Sequence, residues 1–447
     1  MSFHNPIVEA GVAGLANLFR ERAITPVEAT QAYLARIERL NPALGAVTAV
    51  DAEGARSAAE ASARRWREGR PLSPIDGVPL AVKANIAVAG LPWTSGLAAY
   101  RGRIPANDAK AVAELRAAGA VILGALNMHE GALGATTDNL VYGRCHNPHR
   151  HDYTPGGSSG GSGAATAAGL CAAALGSDTM GSVRIPSGYC GVFGFKPAFD
   201  FISTEGVEAL SWTYDHVGVH ARSIDDARLV ASAASGGHAI ACEPMIGRLA
   251  ALEFEGQVEV EPAVAEAFAA TVSTARAIGF DVTPLRLPDY DYGRLRRLGL
   301  LICEAEAAVV HEAGLRDDPD GFSGELRALL DWGNHQSAVK LAKAYRNLTD
   351  AVADVEARLA PFSALLTPTA PQTAFPFSQA PPANQADFTA LAAFWGVPAV
   401  AFPTGVSFDG LPLSGQVVSR DPAVALSLAK TLAAAFAPPP TPIDFSA

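Results

Sequence analysis

The sequence predicts an α/β fold, with buried strands alternating with helices in one sheet, and three observations carry that expectation. Short apolar runs bounded by glycine and proline recur at residues 77–83, 120–124, 364–369, 397–403 and 413–418, the pattern of strands covered on both faces. Helical spacing stands between or after them, as at 108–119 and 422–434. Residues 156–163 are only glycine and serine and run straight into the small apolar residues 164–175, and a helix apolar on every side belongs inside a protein. A chain of 447 residues allows two or three domains, or one large α/β unit with insertions.

Residues 1–70 read as an N-terminal helical segment packing on the core. Leu15, Leu18 and Phe19 share a face, and Thr25-Pro26-Val27-Glu28 opens a helix with an N-cap, a first-turn proline and an acid. The main part of the core is expected over 71–239. Within it Gly77-Val78-Pro79-Leu80-Ala81-Val82-Lys83 is a buried strand with Lys83 at its end, and residues 108–119 form a helix closed by Gly119 before the strand 120–124. Residues 240–360 change character, with charged helical stretches at 262–278 and 323–359, and are expected as a helical insertion or cap. Residues 361–447 return to the sheet pattern and complete the core.

Composition narrows the function. Hydrophobic residues at 49% and charged residues at 18% exclude a disordered chain. A net charge of -11 without a Lys/Arg cluster counts against nucleic acid as partner. Cys145, Cys171, Cys190, Cys242 and Cys303 are odd in number and lack a C-x-x-C pair, so neither a disulfide framework nor a thiolate zinc site is expected. Residues 1–14 carry Glu9 in their apolar stretch and no basic region ahead of it, unlike a secretory signal. The uncharged stretch 153–177 is Gly/Ser-rich and 359–386 is broken by prolines, so no membrane span is expected. The expected setting is the cytoplasm.

The Gly-Ser run admits three readings. A flexible linker would not lead into a buried helix, and a phosphate loop needs Gly-Lys-Ser/Thr where this run has Gly163-Ala164-Ala165. The third is nucleophilic catalysis, in which glycine lets backbone approach a reacting carbonyl. One version treats Gly156-Gly157-Ser158-Ser159-Gly160 as the G-x-S-x-G elbow of an α/β-hydrolase-like esterase with Ser158 as nucleophile. It needs a later acid and histidine, and His216, His220, His238, His311 and His335 are available.

The other version uses a wider constellation. Gly157-Ser158-Ser159-Gly160-Gly161-Ser162, then Gly176-Ser177-Asp178-Thr179-Met180-Gly181-Ser182-Val183-Arg184-Ile185-Pro186, then Cys190-Gly191-Val192-Phe193-Gly194-Phe195-Lys196-Pro197 together resemble the amidase signature family. Gly77 to Ile86, Asn127-Met128-His129-Glu130, Tyr214-Asp215-His216-Val217-Gly218 and Gly396-Val397-Pro398-Ala399 follow in the family's order, and only 240–360 lacks its pattern. The resemblance implies a central twisted mixed sheet flanked by helices on both faces. It implies a Ser-Ser-Lys triad of Ser182 as nucleophile, Ser158 as relay and Lys83 as base, with a cis peptide at Ser158. Backbone N–H groups of Thr179, Met180, Gly181 and Ser182 would form the oxyanion hole, where losing one donor typically costs about 3 kcal/mol. Ser159, Asp178 and Arg184 would tie the two loops together. No metal or organic cofactor is implied. Lysine serves as a base only where burial disfavours its charge, and a buried strand supplies that condition.

Three positions depart from the pattern: Ala84 replaces the usual Asp after the lysine, Met180 a frequent Gly, and Asp200-Phe201 a frequent Gly-Arg. Gly176-Ser177-Asp178-Thr179 and the short chain look similar to family branches that act on small amides, biuret-like compounds and carbamates, so the expected substrate is a small amide or carbamate. The alternative is a glutaminase-type subunit of an amidotransferase assembly. A homodimer is the base-rate state for a soluble enzyme. Cys145, His146, His149 and His151 are expected as a solvated loop rather than a metal site, and Ser337-Ala338-Val339-Lys340 as a surface match to S-x-x-K. Of Phe201, Trp212, Tyr214, Trp332 and Trp395, about half are expected to touch a pocket.

Overall fold

A computed structural model describes residues 5–241, 247–438 and 442. Cys242 lies outside them, and the other four cysteines are buried free thiols. Eleven strands form one mixed sheet. In spatial order they are Val47–Val50, Val121–Leu126, Pro79–Lys83, Ala173–Asp178, His216–Ala221, Phe193–Lys196, Ala399–Val406, Pro412–Val418, Ala364–Pro368, Arg248–Glu253 and Asp281–Arg286. Helices flank it, so strands such as Pro79–Lys83, Val121–Leu126 and Ala173–Asp178 are buried along their whole length. That is why they read as continuous apolar runs instead of alternating ones.

The topology explains why distant residues meet. Pro79–Lys83 runs parallel to both Val121–Leu126 and Ala173–Asp178, so Lys83 and Asp178 end up at the same edge of the sheet. His216–Ala221 is antiparallel to Ala173–Asp178 and pairs His216 with Asp178. The loop entering that strand, residues 210–215, therefore arrives at this edge too.

Two expectations are corrected. Residues 164–175 are not one helix: the helix Gly160–Ala167 stops, Gly169 turns the chain at φ +68°, and Ala173–Asp178 is a strand. An unbroken run of small apolar residues has no period from which to tell the two apart. Nor is 240–360 wholly a helical insertion, because Arg248–Glu253 and Asp281–Arg286 pair in parallel and extend the main sheet. The cap proper is helical and narrower, comprising Tyr292–Val310, Glu312–Asp317, Gly324–Asn334 and Ala338–Leu359. The N-terminal helical segment likewise contributes one edge strand, Val47–Val50. Its helix Pro26–Leu44 starts at the anticipated N-cap Thr25, which forms a capping box with Glu28.

The cap is fastened to the core by apolar contact and by backbone. Leu97, Met128 and Leu133 of the core loops cluster with Cys303, Ala307 and Leu326 of the cap. The Ser323 N–H, at the N-cap of Gly324–Asn334, donates to Glu130 Oε1 at 2.8 Å. Among the described residues no helix is long and apolar enough to cross a membrane.

Candidate active site

Lys83 is fully buried at the end of its strand. Its Nζ lies 2.7 Å from Ser158 Oγ and 2.8 Å from Ser177 Oγ. Burial drives its pKa down to about 7, against the pull of the Asp215 and Asp178 carboxylates, which favour the charged form. Near neutral pH about half of the molecules then hold a neutral amine. Ser158 is itself buried, follows a cis Gly157-Ser158 peptide, and accepts the His129 N–H on its carbonyl at 3.0 Å. Ser159 laces the loop to its neighbours: its N–H donates to Ser182 O at 3.2 Å and its hydroxyl to Ser177 O at 3.1 Å. The Gly-Ser sequence is needed for this fit, since a Cβ at Gly161 would collide with the Asn127 carbonyl oxygen.

The Ser182 loop is built around a buried ion pair. Arg184 and Asp178 are both fully buried, and the guanidinium grips the carboxylate through two bonds, Nε to Oδ2 at 2.9 Å and Nη2 to Oδ1 at 2.8 Å. Burial alone would raise the Asp178 pKa, but Arg184 overrides it and holds the carboxyl well below its usual range. The remaining guanidinium nitrogen donates to Thr389 O and Gln416 Oε1, each at 2.7 Å. Thr389 in turn donates its hydroxyl to Met180 O at 2.6 Å.

Of the N–H groups expected to face an oxyanion, one is spoken for. Gly181 N donates to Asp178 Oδ1 at 2.7 Å, so its role in the hole is corrected to shaping the loop. Its φ of +139°, and the collision a Cβ there would make with Thr389 Oγ1, leave room only for glycine. Thr179, Met180 and Ser182 have no N–H acceptor among the described residues, which leaves them for a ligand. The Met180 side chain packs beneath the cap, where a Cβ at Gly299 would lie 3.0 Å from its sulfur and collide with Phe394.

Sequence reading missed three contributors. Ser177 bridges Lys83 and Asn85, whose Nδ2 donates to the serine hydroxyl at 3.1 Å. Asp215 accepts the Thr179 hydroxyl at 2.6 Å and the Leu210 N–H at 2.9 Å, and burial raises its pKa to about 6. The signal available was an acid, Asp215, leading directly into an apolar strand, where it must be buried and partnered. His216 and His220 are held neutral by burial, each down to about 3. Because His216 Nδ1 faces two carbonyl oxygens, of Tyr214 at 2.7 Å and Asp178 at 3.2 Å, it carries the ring proton. Among the described residues no histidine bonds to Ser158 Oγ, which counts against the esterase elbow.

The remaining sequence candidates separate cleanly. His146 and His151 come together with Asp152, whereas His149 bonds to Cys190 O and Cys145 is buried. The two rings stack at 3.9 Å and 13°, and parallel stacked imidazoles cannot both aim in-plane lone pairs at one ion. His146 Nδ1 already accepts the Asp152 N–H at 3.1 Å. Ser337 caps the helix Ala338–Leu359 through the Lys340 N–H, so S-x-x-K is a surface cap. Tyr214 and Trp395 line a cavity of about 470 Å³ and Trp332 one of about 650 Å³ on the cap, while Trp212 is 53% exposed and Phe201 packs on the core. A further cavity of about 250 Å³ adjoins the Ser158 loop at His129 and Thr136. It is lined by the carboxylates of Glu130, Asp138 and Glu325 and by no lysine or arginine.

Comparison with known proteins agrees with this architecture. The amidase family model matches residues 28–422. The A subunit of the glutamyl-tRNA(Gln) amidotransferase of Symbiobacterium thermophilum is 31% identical over 91% of this chain and 92% of its own length. That of Anaeromyxobacter dehalogenans is 46% identical, but over 50% of this chain, and the match spans only 44% of the relative's length. Among solved structures, one described as an amidase superposes with a TM-score of 0.88 at 30% identity, covering 95% of this chain and 99% of that one. The 6-aminohexanoate cyclic dimer hydrolase complexed with substrate gives 0.87 at 25%, covering 97% and 98%. With the Gly-Ser loop, the buried lysine and the Asp178–Arg184 loop all inside the matched region, the chain belongs to the amidase family.

Proposed function

We propose that this chain hydrolyses a C–N bond of a small amide or carbamate through an acyl-enzyme on Ser182. The observation that carries the reading is the 2.7 Å contact between a wholly buried Lys83 and Ser158 Oγ. Ser182 loses its proton to Ser158, which passes its own to the neutral Lys83 amine, while the Ser182 oxygen bonds to the carbonyl carbon. The resulting oxyanion would sit against the free N–H groups of Thr179, Met180 and Ser182. Running the relay backwards protonates the leaving nitrogen, the C–N bond breaks, and an ester remains on Ser182. Water, deprotonated along the same route, then releases the acid. A carbamate yields alcohol, carbon dioxide and amine instead. Ser159, Asp178 and Arg184 hold the two loops in register.

A base must be neutral to act, so the sign of the pH dependence follows. The kcat/KM of the enzyme should rise about tenfold per pH unit well below Lys83's pKa and level off above about 7. A flat profile from pH 5 to 9 would remove Lys83 from the role.

A second reading is a glutaminase component of an amidotransferase, favoured by 31% identity to the Symbiobacterium thermophilum protein over nearly the whole chain. One feature weighs against it. Glutamine carries an α-carboxylate that needs a cation, yet Asp200, at the position where Gly-Arg is frequent, is exposed and next to Phe201. Purified enzyme assayed on anilides, primary amides, aryl carbamates and glutamine decides between them. Amine from the uncharged substrates and no ammonia from glutamine is the expected outcome, and ammonia from glutamine alone would reverse the assignment. We propose a homodimer as the working state, to be checked by light scattering.

A further inference from the structure

The cap reaches the site through one carboxylate. Glu306 lies on the helix Tyr292–Val310 and is 2% exposed. It accepts the Ser211 hydroxyl at 2.6 Å, the Thr213 N–H at 3.2 Å, and the Thr213 and Tyr345 hydroxyls at 2.5 Å each. All four donors are neutral hydroxyl or amide groups. A buried carboxylate satisfied in this way makes several charge-assisted bonds at once and fixes the groups that supply them.

Those groups belong to two bodies. Tyr345 sits on the cap helix Ala338–Leu359, whereas Ser211 and Thr213 belong to the loop 210–215 of the core. That loop is wound tightly, since Ser211 O accepts the N–H groups of Tyr214 at 3.2 Å and Asp215 at 2.8 Å. Its last residue, Asp215, accepts the Thr179 hydroxyl at 2.6 Å. Thr179 is the first residue of the segment whose N–H groups face the acyl site. The same helix presses on that segment a second time. Gly299, seven positions before Glu306 and so on the same face, lies against Phe394 and the Met180 sulfur.

We propose that Glu306 is a positioning residue: from the cap it clamps the loop 210–215, and through Asp215 and Thr179 it fixes the N–H groups that receive the oxyanion. The proposal rests on the acyl-enzyme reading above. No sequence motif hints at it, because Glu306 lies in the stretch without family pattern. A clamp of this kind acts on the transition state more than on ground-state binding, so its loss should appear in kcat.

The experiment measures kcat, KM and thermal unfolding for Glu306→Leu and Glu306→Gln on a neutral anilide, with Ser182→Ala in parallel. Glu306→Leu should lower kcat by about 10²-fold, the scale of a misplacement of about 1 Å at the reacting groups, with KM nearly unchanged. Glu306→Gln keeps an acceptor oxygen and offers an amide to which the Thr213 and Tyr345 hydroxyls can turn, so it should restore most of the rate. If Glu306→Leu does not fold, the double variant Ser211→Ala/Tyr345→Phe removes two donors and should still cost about tenfold in kcat. An unchanged kcat in a folded Glu306→Leu, a loss confined to KM, or a Gln variant no better than Leu overturns the clamp. With Ser182→Ala inactive, such a result removes the clamp alone; activity persisting in Ser182→Ala removes the acyl-enzyme reading as well.

Discussion

Ser182→Ala should lose about 10⁵- to 10⁶-fold in kcat on the best small amide, with substrate affinity nearly intact. No neighbouring group can replace the missing oxygen, and removing the nucleophile of a serine hydrolase costs about 10⁶-fold. Ser158→Ala should fall less, by about 10²- to 10⁴-fold, the range of a lost proton-transfer partner. A water in the vacated space can still connect Ser182 to Lys83. The two variants together separate the competing nucleophiles. If Ser158 were an elbow nucleophile the order would invert, and the lysine 2.7 Å from its oxygen would stand where a histidine is required. Single-turnover kinetics on a chromogenic anilide, which resolves acylation from deacylation, is the measurement that checks this.

Much of this site is legible in sequence because its chemistry imposes local constraints. A lysine ending an apolar strand, a run of glycine and serine before a buried helix, and an Asp and Arg six residues apart around a serine leave marks in the chain itself. Ser177, Asn85 and Asp215 leave none of comparable strength. Ser177 meets Lys83 and Asn85, and Asp215 meets Thr179, through strand pairing: Ala173–Asp178 lies beside Pro79–Lys83 on one side and His216–Ala221 on the other. Pairing partners of that kind are set by topology, which one sequence does not encode locally. Gly181 differs from expectation for a related reason. Position in a motif points its N–H at the oxyanion, but the buried carboxylate of Asp178 needs donors of its own and takes this one at 2.7 Å.

The fold follows the same division. Strands buried on both faces announce themselves as apolar runs. Asp281–Arg286 does not, because it is the outermost strand on its side of the sheet, and Arg248–Glu253 shows only a short buried run, Leu249 to Leu252, between charged and exposed ends. Asp281–Arg286, with one neighbour only, buries Val282 alone and exposes Asp281, Pro284 and Arg286. Charged neighbours and the strong helix Pro262–Ala277 between them give the whole region the look of a helical insertion.

The buried Asp178–Arg184 pair gives the largest expected effect on stability. Arg184→Met should cost about 3–5 kcal/mol in unfolding free energy, because removing one partner strands the other in a medium that cannot solvate it. Arg184 also donates to Thr389 O and Gln416 Oε1, so the variant removes two further buried hydrogen bonds and leaves Gln416 Oε1 without its donor. Lysine at 184 keeps a charge but loses the planar fork, and should recover only part of the loss. The double variant Arg184→Met/Asp178→Asn removes both charges and should be more stable than Arg184→Met alone, the sign expected when the penalty is an orphaned carboxylate. The pH dependence supplies an independent check. The Asp178 pKa is depressed in the folded state, so its contribution is fully present above the unfolded value of about 3.9. It is lost progressively as pH falls from there toward the folded value. Denaturant unfolding at pH 7 and at pH 3 should therefore show a gap between wild type and Arg184→Met that narrows in acid. A gap of the same size at both pH values would mean that Arg184 acts through Thr389 and Gln416, with Asp178 held by its backbone donors alone.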